Sequence, residues 1–101
     1  MAERAIVIDP RDSVAVAVVE LAAGQPCTVR VGGETLTLQI REKIPFGHKF
    51  ALRRIARGDG VLKYGEVIGE ATAEIEAGAW VHVHNLVSQR GRIRVDREVG
   101  K

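Results

Sequence analysis

Apolar and polar positions alternate along this chain in short bursts, most of them closed by a glycine or a proline. Over residues 13–19, Val14, Val16 and Val18 stand at every second position, the period of two that marks a half-buried strand. Leu21 and Ala23 would extend the same stretch as a helix, but its β-branched content favours the strand. Residues 4–9 are also β-rich and stop at Pro10. Residues 28–31 and 34–38 flank Gly32 and Gly33, and such a pair supplies the positive φ angles of a tight hairpin turn. Further strands are expected over residues 48–52, 66–69 and 79–84. No segment carries a sustained helical stripe, so the predicted class is all-β, built of short strands with glycine-rich corners.

A short repeat overlies this pattern. Leu21-Ala22-Ala23-Gly24 leads to Cys27, Ile55-Ala56-Arg57-Gly58 to Val61, and Ile75-Glu76-Ala77-Gly78 to Val81. Each copy reads as an apolar plug, a turn closed by a left-handed glycine, and a new strand start. The intervals between copies differ, which excludes a solenoid and predicts a folded-over structure with several sharp corners.

The chain has 101 residues, enough for one domain with a thin core. We divide it into a domain over residues 1–88 and a basic tail over 89–101. Fifteen basic residues nearly balance thirteen acidic ones, for a net charge of +2, and no one-sign field of the kind that attracts nucleic acid is expected. Four aromatic residues give little stacking surface for RNA. The apolar runs are far shorter than the ~20 residues of a membrane span, and residues 1–11 do not read as a secretory signal. Cys27 is the single cysteine. It reads as a small buried hydrophobe in a strand, and a lone thiol fits a cytoplasmic setting. In the tail, Arg92, Arg94 and Asp96 alternate with Ile93 and Val95, as an edge strand or docking arm would.

Candidate chemistry falls in three places. Pro45 and Gly47 form a turn that presents His48 and Lys49. Lys63, Tyr64 and Gly65 bring a cation, a phenol and a flexible glycine together. Trp80-Val81-His82-Val83-His84-Asn85 would, as a strand, aim His82 and His84 from one face, with Val81 and Val83 turned to the core. Two such imidazoles can meet one metal ion or one anion. Gly58-Asp59-Gly60 lacks the other ligands of a calcium loop and reads as a turn. Nucleophile elbows, phosphate loops and paired zinc cysteines are absent from the sequence.

From Ile44 to Asn85, the order Gly47-His48-Lys49, Lys63-Tyr64-Gly65 and His82-Val83-His84-Asn85 resembles the N-terminal SAF domain of altronate and galactarate dehydratases. The opening over residues 8–17 resembles the start of that domain, so the likeness covers roughly residues 5–90. It implies a β-clip fold. It also implies a stand-alone small subunit, because the long dehydratases continue into a larger domain while this chain stops soon after Asn85. The small subunit of sulfolactate sulfo-lyase is similar at the same motifs. The resemblance implies a two-part hydro-lyase that dehydrates an acidic sugar to a 2-keto-3-deoxy acid, with a large catalytic subunit as partner, and is compatible with a homo-oligomer. A sulfo-lyase subunit and a non-catalytic carbohydrate- or anion-binding module are the alternatives. By the same resemblance His48, His82 and His84 are the catalytic candidates, and Lys49, Lys63, Tyr64 and Asn85 the substrate-binding ones. His82 and His84 are the expected ligands of a divalent metal (iron, manganese or magnesium) shared with the large subunit.

Overall fold

A computed structural model describes residues 3–88. The basic tail, with its expected arm at Arg92–Asp96, lies outside the described residues, as does the domain boundary drawn there. The described residues form nine short strands and no helix: β1 (Ala5–Ile6), β2 (Val14–Ala17), β3 (Pro26–Val31), β4 (Glu34–Gln39), β5 (Lys49–Ala51), β6 (Gly60–Lys63), β7 (Glu66–Ala71), β8 (Trp80–Val81) and β9 (Leu86–Ser88). They pair antiparallel in three sheets, ordered β1-β2-β5-β8, β3-β4 and β6-β7-β9. The chain is all-β and folded over on itself, as a β-clip requires.

Four corners hold the strands. Leu21, Ile44, Ile55 and Ile75 each begin a turn whose glycine follows three residues later, and Gly24, Gly47, Gly58 and Gly78 have φ of 88°, 83°, 91° and 87°. Leu21 and Ile44 form a mutual backbone bridge, each N–H donating to the other's carbonyl at 2.9 Å. Ile55 and Ile75 do the same at 2.8 Å. Each corner glycine then donates its N–H four residues upstream of the opposite anchor: Gly24 to Ile40, Gly47 to Ala17, Gly58 to Ala71 and Gly78 to Ala51. Two clips with identical wiring therefore follow one another along the chain. The repeat read from the sequence has a fourth copy, Ile44-Pro45-Phe46-Gly47 leading to Phe50, which Pro45 and the bulky Phe46 had disguised.

Each clip closes its own core. Leu21, Cys27, Ile40, Ile44 and Phe50 belong to one, and Ile55, Val61, Ala71, Ile75 and Val81 to the other. The four-stranded sheet lies between them. Ala15, Ala17 and Phe50 face the first core, while Val14, Ala51 and Val81 face the second. Cys27 is buried in β3, and burial pushes its thiol pKa up, which leaves it inert as a nucleophile.

The hairpin at Gly32 and Gly33 forms as expected, both residues with positive φ. Residues 13–19 yield the strand β2 and no helix. Strand β6 contains Val61, where the repeat predicts a strand start, whereas β9 was not anticipated. The expected strand over residues 79–84 is corrected to two residues, Trp80–Val81. Val81 is buried as expected, but Val83 is 82% exposed on a turn and does not face the core. The reason is Asn85, whose side chain bends the backbone back as described next.

Candidate functional site

Strands β5 and β8 pair with Lys49 opposite Val81 and Phe50 opposite Trp80. This register brings the residue before β5, His48, beside the residue after β8, His82. Their ring centroids are 4.8 Å apart. Between them and His84 stands Trp80. Its indole stacks on His82 at 5.1 Å with a 7° interplanar angle, and meets His48 at 5.6 Å and His84 at 5.3 Å in tilted contacts. The Trp80 Nε1–H donates to His48 Nδ1 at 3.2 Å. Three imidazoles scattered over 37 positions of sequence thus converge on one aromatic ring.

The turn after β8 is built by Asn85. Its Oδ1 accepts the His82 N–H at 2.9 Å and its Nδ2 donates to the Trp80 carbonyl at 2.9 Å. Its own N–H donates to the His82 carbonyl at 3.0 Å. Asn85 is 9% exposed, so its polar atoms are committed to positioning the histidines. His82 and His84 reach a common neighbourhood through this turn and their shared contact with Trp80, and not through strand alternation.

Two lysines lie within electrostatic reach, Lys49 of His82 and Lys63 of Lys49. Lys49 is half-buried, and burial followed by the field of Lys63 lowers its pKa. Burial also lowers the pKa of His82, helped by the charges of His48, Lys49 and His84. Lys63 ends β6, with its Nζ 4.8 Å from the ring centroid of Tyr64. Tyr64 adopts a φ of 58° and Gly65 one of 77°, the left-handed pair of a two-residue hairpin turn. A non-glycine residue there is strained. Buried Asp12 holds the turn by accepting the Gly65 N–H on Oδ1 at 2.8 Å. The structure therefore gathers His48, His82 and His84, couples Lys49 electrostatically to His82 and Lys63 to Lys49, and joins Tyr64 through Lys63.

Sequence reasoning passed over Trp80 as a site residue. Its signal was present: the single tryptophan of the chain, directly before the histidine pair. Asp12 carried no such signal, because its role depends on a turn 53 positions away.

Among the described residues no group of three His, Cys, Asp or Glu side chains lies together to hold an ion. His82 and His84 lack a third such ligand from this part of the chain. A cavity of about 620 Å³ lies elsewhere, lined by Glu3, Arg4, Gln25, Thr28, Arg30 and Thr35 among others. We give it less weight than the imidazole cluster, because no histidine lines it.

An all-β clip that gathers histidines and lysines at one sheet end defines a small domain class, and comparison with known proteins specifies it. Residues 3–89 match the altronate/galactarate dehydratase SAF domain, and the chain belongs to that family. It is 50% identical over 80 residues to altronate dehydratase of Escherichia coli (strain K12), covering 79% of this chain and 15% of that protein. It is 42% identical over 88 residues to (2R)-sulfolactate sulfo-lyase subunit alpha of Chromohalobacter salexigens, covering 84% of this chain and 94% of that subunit. A second subunit alpha, from Paracoccus pantotrophus, is 39% identical over 64 residues, 96% of its length. The chain thus spans a small fraction of the dehydratase and nearly the whole of the sulfo-lyase subunits. Among the described residues no helix is long and apolar enough to cross a membrane.

Proposed function

We propose that this domain is the small subunit of a two-part lyase, supplying the anion-holding part of an active site completed by a larger partner. The observation that carries this reading is the convergence of His48, His82 and His84 on Trp80, with Lys49 close enough to act on His82 and Lys63 on Lys49. Imidazole N–H donors and two ammonium groups gathered in this way suit an anion. The substrate proposed first is an acidic sugar of the altronate or galactarate kind, dehydrated to a 2-keto-3-deoxy acid.

In that reaction the proton beside the carboxylate leaves, the neighbouring C–O bond breaks, and the hydroxyl departs as water. Charge grows on the carboxylate as the carbon loses its proton. Lys49 and Lys63 hold that carboxylate, Tyr64 bonds a substrate hydroxyl, and His82 and His84 exchange protons with the departing group. The divalent metal implied by the resemblance would draw its ligands mainly from the partner, and no step here passes through it. Phe46 and Val83, exposed and close in sequence to His48, His82 and His84, would face that partner. A cytoplasmic setting accords with the single buried thiol.

A second reading has its own support: the match spans 94% of a sulfolactate sulfo-lyase subunit. The same residues would then hold a sulfonated acid, and the elimination would break a carbon–sulfur bond. Co-purification with the native partner decides, followed by metal analysis and assays on altronate, galactarate and sulfolactate. A larger chain and activity that needs both parts sustain the proposal, and the preferred substrate selects the reading. A chain that purifies alone and turns over none of the three would overturn it. In the reconstituted enzyme, Lys49→Met is expected to raise KM about 10- to 100-fold, the worth of one charge-assisted hydrogen bond. An unchanged KM would remove Lys49 from the site.

A further inference from the structure

We infer that Trp80 is a positioning residue that holds His48 as its neutral Nε2–H tautomer, so that His48 meets substrate as a hydrogen-bond donor. An indole N–H can only donate. Its partner at 3.2 Å is His48 Nδ1, which must therefore carry a lone pair and no proton. In a neutral imidazole the proton then resides on Nε2. The opposite ring orientation would set a C–H against the indole N–H and strand a half-buried donor without its hydrogen bond.

The arrangement is held from several sides. The Trp80 backbone N–H donates to Glu42 Oε2 at 3.0 Å, and its carbonyl accepts from Asn85 Nδ2 at 2.9 Å. The register of β5 with β8 brings His48 to the indole. His82 packs on both rings.

Two roles are thereby excluded for His48 in this state. It has no lone pair for a metal, because one nitrogen is bonded to Trp80 and the other bears hydrogen. Nor is it a proton source, because a neutral imidazole that loses its Nε2 proton becomes a strongly basic imidazolate. What remains is donation from Nε2–H to an oxygen that gains negative charge, such as a carboxylate or a departing hydroxyl. This last role rests on the lyase reading, while the tautomer does not.

The test begins with nitrogen-15 NMR of the histidine side chains in the full 101-residue chain, without partner or substrate, near neutral pH. The expected spectrum shows His48 with a bare Nδ1 and a protonated Nε2. A protonated Nδ1 would overturn the inference without any variant. Trp80→Phe keeps an aromatic face but removes the N–H, and is expected to turn His48 into a mixture of both neutral tautomers. Unchanged His48 shifts in that variant would equally overturn it. In the reconstituted enzyme, His48→Gln, which retains an N–H donor at the same reach, is expected to keep at least tenfold more kcat than His48→Ala. Equal losses would sink the donor role while leaving the tautomer and the lyase reading to their own measurements.

Discussion

Asn85 occupies two partners at once, the His82 N–H and the Trp80 carbonyl, each at 2.9 Å. Removing its amide leaves both without their partner beside a buried position, which costs about 1–3 kcal/mol. For a domain of this size that corresponds to a fall in melting temperature of roughly 5–20 °C. Asn85→Ala is therefore expected to lower the thermal midpoint by that amount, and an unchanged midpoint would show that the turn does not depend on Asn85. The same scale sets the pH response. Arg11 hydrogen-bonds Asp9 through its side chain and backbone N–H and holds the Asp9 carboxyl at about 2, down from 3.8. A lowered carboxyl contributes stability that is complete above about pH 4 and is lost as pH falls toward 2. His82 has a pKa below its ordinary 6.5. Its unfolded form binds a proton first on acidification, so stability is full above pH 6.5 and declines just below it. Chemical unfolding followed against pH should show two separate declines, one beginning near 6.5 and one below 4. A curve flat between pH 7 and 5 would contradict the His82 environment. The chemistry-bearing residue types were legible at this scale. The commitments of Asn85, Asp12 and Trp80 were not, because each depends on a partner that folding brings near.

At the scale of elements, the corner is the repeating unit. Gly58 and Gly78 occupy equivalent positions with nearly equal φ, yet their surroundings differ. A Cβ on Gly58 would meet open space, whereas one on Gly78 would run into the Gln39 carbonyl oxygen. Gly58→Ala is expected to cost only the left-handed conformation, about 1–2 kcal/mol. Gly78→Ala should cost distinctly more, because the backbone it strikes cannot swing aside. Denaturant midpoints of the two variants measure the difference, and equal midpoints would refute it. Three corners were visible as spacing because small or charged residues fill their turns. The fourth was hidden by Pro45 and Phe46, although it obeys the same wiring. The shortening of β8 was also hidden, since Trp-Val-His-Val-His alternates as a strand should. Alternation records what a strand would tolerate, and the hydrogen bonds of Asn85 outweigh it locally.

At the scale of the molecule, two small cores lie on either side of one four-stranded sheet, and the site forms where that sheet ends. His48 and Lys49 come from the start of β5, His82 and His84 from the turn after β8, and Lys63 from the end of β6. Neither clip alone assembles the cluster: His48 belongs to the corner at Ile44, and His82 and His84 follow the corner at Ile75.

The amino-acid sequence by itself determined the all-β class, the hairpin at Gly32 and Gly33, and three of the four corners. These depend on local rules: side-chain alternation, β-branching and the left-handed freedom of glycine. Its motif order also determined the family. Tertiary structure alone decided that Val83 faces outward, that Asn85 serves the backbone, and that Trp80 centres the histidines. Those outcomes depend on strand register and on hydrogen bonds between residues distant along the chain, which no local pattern encodes.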